Sequence, residues 1–446
     1  MTPREAEIIE LVRKEVKPAL GCTEPIAVAL AVAKAAEIMR TERIKDADRN
    51  GHLCEVCEAL HANIHVEVSG NILKNGMGVG IPGTGMVGLP IAAALGAVCG
   101  RSRYGLEVLS DLSADAIERA KDMVAKDKVH ISVADTDHKL YVKATMKCGF
   151  HEASALIADD HDSIIGTWFD KSLREGRETL ESSASTDEKS TLDYHLSVRE
   201  IYDFSENVSY DDIAFILESR TLNLALAREG LSGDYGLRVG KTIGAARHAE
   251  FFGTDFMSHA MSMTAAASDA RMAGCTLAAM SNSGSGNQGI TVTMPIIAYA
   301  EKYKIRDEKL ARALVLSHLI AIHIKGYLGK LSALCGCVIA STGSACGLAY
   351  LRGGSYETVC AAIKNMVGNI TGMLCDGAKV GCALKVASGV SCAVQSAILA
   401  LDGECISEHD GIIEKDIEKT IRNLGKIGSD GMQSADSMIL SIMTCK

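Results

Sequence analysis

Apolar residues recur three and four positions apart from residue 5 to 18 and again from 25 to 40, which predicts two helices. Between them stands Gly21-Cys22-Thr23-Glu24-Pro25. Glycine ends a helix well, threonine caps one, and proline fits a first turn, so Cys22 falls just ahead of a helix start. From His61 the period changes to two, with Ile64, Val66 and Val68 on one face, and Ala62 to Ser69 reads as a strand. Further strands are expected at Leu106 to Leu109, His130 to Ala134 and Lys139 to Lys147, and helices at 88 to 99 and 112 to 125. Residues 1–170 therefore predict an α+β domain built on a mixed or antiparallel sheet.

Lys171 to Thr191 is polar, charged and serine-rich, so 171–210 reads as a linker or exposed connection. Beyond Asp211 the strand signal fades. Alanine-rich helical spacing dominates at 211–228, 240–280, 308–324, 338–350, 356–373, 384–401 and 411–424, with a further buried helix around Met294 and Pro295. Residues 211–446 thus predict a mostly helical domain. Its glycine-rich breaks at Ser281–Gly289, Gly326–Gly329 and Cys375–Gly381 are where chemistry is expected, on loops held by rigid helices.

A length of 446 residues allows two or three domains. The net charge of -10, with lysine and arginine scattered, argues against a nucleic-acid partner. Fifteen cysteines, an odd number in a large chain, suit a reducing cytoplasm better than a disulfide scaffold. Met1 to Lys17 has no apolar signal core. The uncharged runs Asn75–Gly100 and Leu331–Leu351 have spanning length, but Gly, Ser, Thr, Cys and Pro crowd them, so they read as close-packed interior and not as membrane segments.

Cys335 and Cys337 in Leu-Cys-Gly-Cys, Cys375 in Cys-Asp-Gly and Cys382 in Gly-Cys-Ala-Leu-Lys set four thiols among small uncharged residues. Such thiols suit a soft metal, and thiolates are the usual ligands of iron-sulfur clusters. The alternative is that cysteine often behaves as a small buried hydrophobe, which is the reading for Cys346, Cys360 and Cys392. Ser281-Asn-Ser-Gly-Ser-Gly-Asn-Gln-Gly289 is dense in small donors at a helix start and favours anion binding. Asn75 to Gly88 holds six glycines, and ligand approach and close packing explain them equally. His52, Cys54, Cys57, His61 and His65 suggest zinc, but the ligand pairs sit closer than zinc sites usually have them, and a helix face is the preferred reading.

Four motifs in this order, Gly-Cys-Thr-Glu-Pro (21–25), Lys-Asn-Gly-Met-Gly-Val-Gly-Ile-Pro-Gly (74–83), Ser-Gly-Asn-Gln-Gly (285–289) and Cys-Asp-Gly-Ala-Lys (375–379), resemble the L-cysteine desulfidase family. Those proteins are single-chain relatives of the bacterial iron-sulfur L-serine dehydratases. The likeness spans nearly the whole chain, with 1–170 resembling the dehydratase β part and 211–446, the expected cluster-binding domain, the α part. It implies a 4Fe-4S cluster held by Cys337, Cys375 and Cys382, with Cys335 as the alternative first ligand. It implies β-elimination of L-cysteine to pyruvate, ammonia and hydrogen sulfide, with L-serine as the alternative substrate. Cys22 is then the base that takes the α-proton, or else a fourth ligand in a resting state. Thr23, Glu24, Ser285, Asn287 and Gln288 are the expected substrate contacts, with Lys325 and Lys379 as carboxylate partners or simply surface residues. Two rival functions remain: a pyridoxal-phosphate lyase with Lys325 as its Schiff base, and a non-enzymatic cysteine or redox sensor. The many apolar helices further suggest a homodimer.

Overall fold

A computed structural model describes residues 1–50, 62–176, 196–329 and 332–445, with side chains outside 46–50. The His52, Cys54, Cys57 and His61 group lies outside these residues; His65 stacks on His130 at 5.0 Å.

The chain opens with α1 (Pro3–Glu15), closed at its start by a Thr2/Glu5 capping box, followed by β1 (Pro18–Ala19). The alanine-rich α2 (Thr23–Asn50) comes next, buried nearly all round over Ile26 to Ala33. β2 (Asn63–Val68) alternates exposed and buried positions, as its period-two pattern requires. After α3 (Gly70–Gly76), α4 (Leu89–Val98) and α5 (Ala114–Ala125) come five strands: β3 (Val129–Val133), β4 (Tyr141–Cys148), β5 (His151–Ala158), β6 (Ile164–Phe169) and β7 (Ser172–Gly176). With β2 they form one mixed sheet in the order β3-β2-β4-β5-β6-β7, parallel only at β2/β3. α2 packs on β4 and β5 and crosses α4 closely; a Cβ at Gly96 would lie 2.3 Å from the Ala29 carbonyl oxygen.

The helical part runs through α6 (Val198–Asn207), α7 (Tyr210–Ile213), α8 (Glu218–Ser232), α9 (Val239–Ile243), α10 (Ala249–Phe252) and α11 (Phe256–Met272). The short strand β8 (Ala279–Met280) pairs antiparallel with β1. Then follow α12 (Gly286–Tyr303), α13 (Asp307–Leu328), α14 (Gly336–Leu351), α15 (Tyr356–Ile370), α16 (Cys382–Leu401), α17 (Ile417–Lys426) and α18 (Gln433–Thr444). α14 is buried from Cys337 to Leu351, because α12, α13, α15 and α16 surround it. A hydrophobic core replaces the bilayer that this uncharged run resembled. α16 is the one helix among the described residues long and apolar enough to cross a membrane, yet it packs on α11, α14 and α15.

Two apolar cores result, one under the sheet and one among the helices. The chain ends cross between them. α1 packs Ile8, Ile9 and Val12 into the helical core, with Arg13 over the Phe215 ring at 3.7 Å, while α18 returns to α3. There Asp436 pairs with Lys74, which is only 2% exposed, and Leu440 sits over the bare backbone of Gly70.

Several expectations are corrected. Leu106 and Glu107 end a 3-10 turn (Ser102–Glu107), because Gly105 at φ +54° bends the backbone out of a strand. β5 to β7 were not foreseen: β5 is buried at six successive positions and so lacks alternation, and β6 carries an interior glycine. Part of the expected connection 171–210 is regular structure, since β7 joins the sheet as its exposed edge strand and Ile201 of α6 is fully buried. The expected helix 240–280 is broken, with Gly253 (φ +73°) and Gly274 (φ +86°) in left-handed backbone on either side of α11. Asp416 caps α17, so the helix expected at 411 begins at Ile417.

Candidate functional site

The cysteine-bearing segments meet in one cleft with about 880 Å³ of open space, between the sheet unit and the helices. Its wall takes in residues from the first turns of four helices: Thr23 of α2, Asn287 of α12, Gly336 of α14 and Cys382 of α16. Each presents the positive end of a helix dipole, and α2, α12 and α14 add first-turn N–H groups without an acceptor among the described residues, whereas those of Cys382, Ala383 and Leu384 in α16 donate to the Lys379, Val380 and Gly381 carbonyls. Anions are therefore favoured here before any side-chain charge is counted.

Cys335, Cys337, Cys375 and Cys382 all line this cleft as free thiols. Burial, and then the neighbouring Cys375, push Cys335 up to about 12. Cys337 is raised by burial and then by Cys335 and Cys382. Cys382 is raised by burial, with Cys375 adding to it. Such thiols stay protonated unless a cation compensates their charge. The Cys337 thiol donates to the Lys385 carbonyl at 3.2 Å and lies against Gly389, where a Cβ would stand 2.5 Å from the sulfur.

Among the described residues no three His, Cys, Asp or Glu side chains are grouped to hold a single metal ion. The four cysteines line one cleft, and thiolates are the usual ligands of iron-sulfur clusters, each binding a different iron. The Cys375 loop is fixed from both sides. Asp376 pairs with Lys379 and with Lys385 at 2.5 Å, and although burial opposes it, these lysines hold the carboxyl down to about 2. Gly377 (φ +89°) rests on the Lys74 carbonyl, which a Cβ would meet at 2.2 Å.

Cys22 and Glu24 stand on the opposite side of the chain order but in the same cleft. The Cys22 thiol donates to Glu24 Oε2 at 3.1 Å, and Thr23 Oγ1 donates to the same oxygen at 3.2 Å. Burial and then Glu24 push the thiol well above its ordinary range, with Arg271 acting the other way. Position ahead of the helix does not outweigh burial here.

The 281–289 loop is held by its own polar groups. Ser285 caps α12 by accepting from the Gln288 N–H at 3.3 Å. Gln288 Nε2 donates to Asn282 Oδ1 at 2.6 Å, and Asn282 Nδ2 meets His318 Nδ1 at 2.9 Å. Burial alone lowers His318 to about 3, so it is a neutral acceptor. Ser285, Asn287, Gln288 and Lys325 line the cleft; Lys379 does not, being turned to Asp376. Lys325 makes no hydrogen bond or ion pair among the described residues, and burial lowers its amine to about 8 against the opposing pull of Cys375 and Glu24.

Two lining residues escaped the sequence reading. His161, from the β5–β6 turn, reaches the cleft beside Gly284. Arg271, near the end of α11, is only 3% exposed and donates from Nη1 to Asn287 Oδ1 at 3.2 Å. Its Nε is buried without a partner among the described residues. The available signal was Asp269 and Arg271 within an otherwise uncharged stretch of small residues. Asp269 faces away from the cleft, accepting from the Gly240 N–H at 2.9 Å, and burial raises it to about 6.

Residues 103–441 match the serine dehydratase alpha chain family. Among curated relatives, the UPF0597 protein of Phocaeicola vulgatus is 47% identical over 100% of this chain and 98% of its own length. The UPF0597 protein of Oleidesulfovibrio alaskensis is 47% identical over 100% and 99%, and one from Bacteroides fragilis 46% over 99% and 98%.

Proposed function

The chain belongs to the serine dehydratase alpha chain family, and on that premise we propose that it is a lyase performing β-elimination on a small α-amino acid, L-cysteine before L-serine. The observation that carries the reading is the meeting of four thiols, four helix N-termini and the Cys22-Thr23-Glu24 segment in one cleft. Held by Cys337, Cys375 and Cys382, with Cys335 as the alternative to Cys337, a 4Fe-4S cluster would supply a Lewis acid for the departing sulfide or hydroxide.

The chain's own residues do the rest. Glu24, the carboxylate at this end of the cleft, receives the substrate ammonium. Ser285, Gln288 and Asn282 keep the 281–289 loop rigid, so substrate meets a preformed surface. The α-carbon loses its proton, the Cβ–S or Cβ–O bond breaks with its electron pair on the leaving group, and the resulting enamine hydrolyses to pyruvate and ammonia. No electron is gained or lost overall.

Cys22 is the base by its place in the motif, and because burial and then the Glu24 carboxylate hold its thiol protonated, it works as one only after that proton has left to solvent. Lys325 is the second reading, because an amine lowered to about 8 is partly free at neutral pH and suited to proton abstraction. A pyridoxal-phosphate lyase on Lys325 and a non-catalytic cysteine sensor both leave the four-thiol wall without a task.

Anaerobic purification with iron and sulfide analysis, followed by pyruvate release from L-cysteine and L-serine side by side, tests the proposal. A brown protein that releases sulfide supports it. A colourless protein fully active without iron sinks it, and a yellow one inactivated by borohydride favours pyridoxal phosphate.

A further inference from the structure

Arg271 combines properties that rarely meet without a ligand. It is 97% removed from solvent, lines the cleft, and has no carboxylate within ion-pair distance among the described residues. Its Nη1 is engaged by Asn287 Oδ1 and by the Met272 sulfur at 3.4 Å, whereas Nε and Nη2 donate to nothing in the described structure. Those two nitrogens form the side of a guanidinium that grips a carboxylate through two parallel hydrogen bonds.

The guanidinium lies directly on Gly286, where a Cβ would come 2.2 Å from Nε and 2.5 Å from Cζ. Gly286 and Asn287 are the first residues of α12, an 18-residue helix, and their backbone N–H groups have no partner among the described residues, Ser285 having capped only Gln288. A buried cation and a bare helix start thus face one spot.

We propose that the Nε/Nη2 side of Arg271, with the Gly286 and Asn287 N–H groups, is the receptor for the substrate's α-carboxylate. The site then takes free α-amino acids and rejects their amides and peptide-bound forms, which lack the anion. Glu24 and this receptor give the zwitterion two opposite anchors. The identity of the ligand rests on the lyase reading; the presence of an anion receptor does not.

The test uses the full chain as purified anaerobically. Binding of pyruvate, L-serine and L-serinamide is measured by calorimetry, and KM and kcat for L-cysteine are measured alongside. Arg271→Gln is expected to weaken pyruvate and L-serine binding, and to raise KM, by at least about tenfold, the scale of one charge-assisted hydrogen bond, with kcat changed less. Arg271→Lys keeps the charge without the fork and should fall between. L-serinamide should bind wild type at least about tenfold more weakly than L-serine and be indifferent to Arg271→Gln.

Gly286→Ala is the second variant, since it pushes the guanidinium aside and leaves its charge intact; circular dichroism confirms its fold. It should raise KM as Arg271→Gln does. Unchanged binding of pyruvate and L-serine in both variants, or L-serinamide bound as tightly as L-serine, overturns the receptor. If wild type binds pyruvate through Arg271 yet turns over no amino acid, the receptor stands and the lyase reading falls. Turnover indifferent to Arg271 gives the reverse.

Discussion

Gly389→Ala probes the cluster wall without touching a thiol. Gly389 lies on α16 facing α14, and a methyl group there would stand 2.5 Å from Cys337 Sγ and 3.1 Å from Ser341 Oγ. Ordinary contact begins at 3.4 Å, so the sulfur must retreat by about 0.9 Å. Metal–ligand distances tolerate only about 0.2 Å, so a sulfur moved that far no longer ligates in place. Overpacking costs about 1–3 kcal/mol, and replacing a helix-interior glycine by alanine returns roughly 1 kcal/mol. The net loss of stability is therefore about 0–2 kcal/mol, and the variant folds. Iron and sulfide content per chain and the melting temperature are measured on anaerobically purified protein. Gly381→Ala is the control, because a Cβ there meets only the Lys379 side chain, at 3.7 Å or beyond. Iron should fall severalfold in Gly389→Ala and stay unchanged in Gly381→Ala. Full iron in Gly389→Ala, with the fold intact, would refute Cys337 as a ligand set in place by this glycine.

If Lys325 takes the α-proton, activity climbs as pH rises through about 8, where the buried amine loses its charge; Lys325→Arg, always protonated, removes that limb. A fall over the same window assigns Lys325 to carboxylate binding instead. Glu24→Gln removes one of the causes that raise the Cys22 thiol and leaves burial, the largest, so iodoacetamide labelling of Cys22 should quicken only modestly. A rate equal to that of an exposed free thiol would show burial to be the smaller cause. Asp436→Asn strands the buried Lys74 ammonium, whereas Lys74→Met removes that charge, so the first should cost more, on the order of 1–3 kcal/mol by thermal melts, and speed hydrogen exchange across 433–444. Equal costs would contradict the asymmetry.

The apolar periods and glycine punctuation determined much by themselves. The helix–break–helix around Cys22, the alternation of Ile64, Val66 and Val68, and the buried run after Cys337 are local patterns, and the structure follows them. Local patterns fail where burial is two-sided or a glycine intervenes, which is why β5, β6 and the broken 240–280 stretch were not legible. The thiols and the 281–289 loop stood out because small polar residues and cysteines are conspicuous among alanines. Tertiary structure decided what those residues face. It set Arg271 against Gly286 with two nitrogens unpaired, turned Lys379 to Asp376 and left Lys325 alone, and drove the Cys22 thiol upward by burying it beside Glu24. A sequence records which groups exist and how neighbours alternate. Charge state and pairing depend on the solvent removed and the partners brought from distant segments, and here those came from several helices and one strand turn, from Cys22 to Val386.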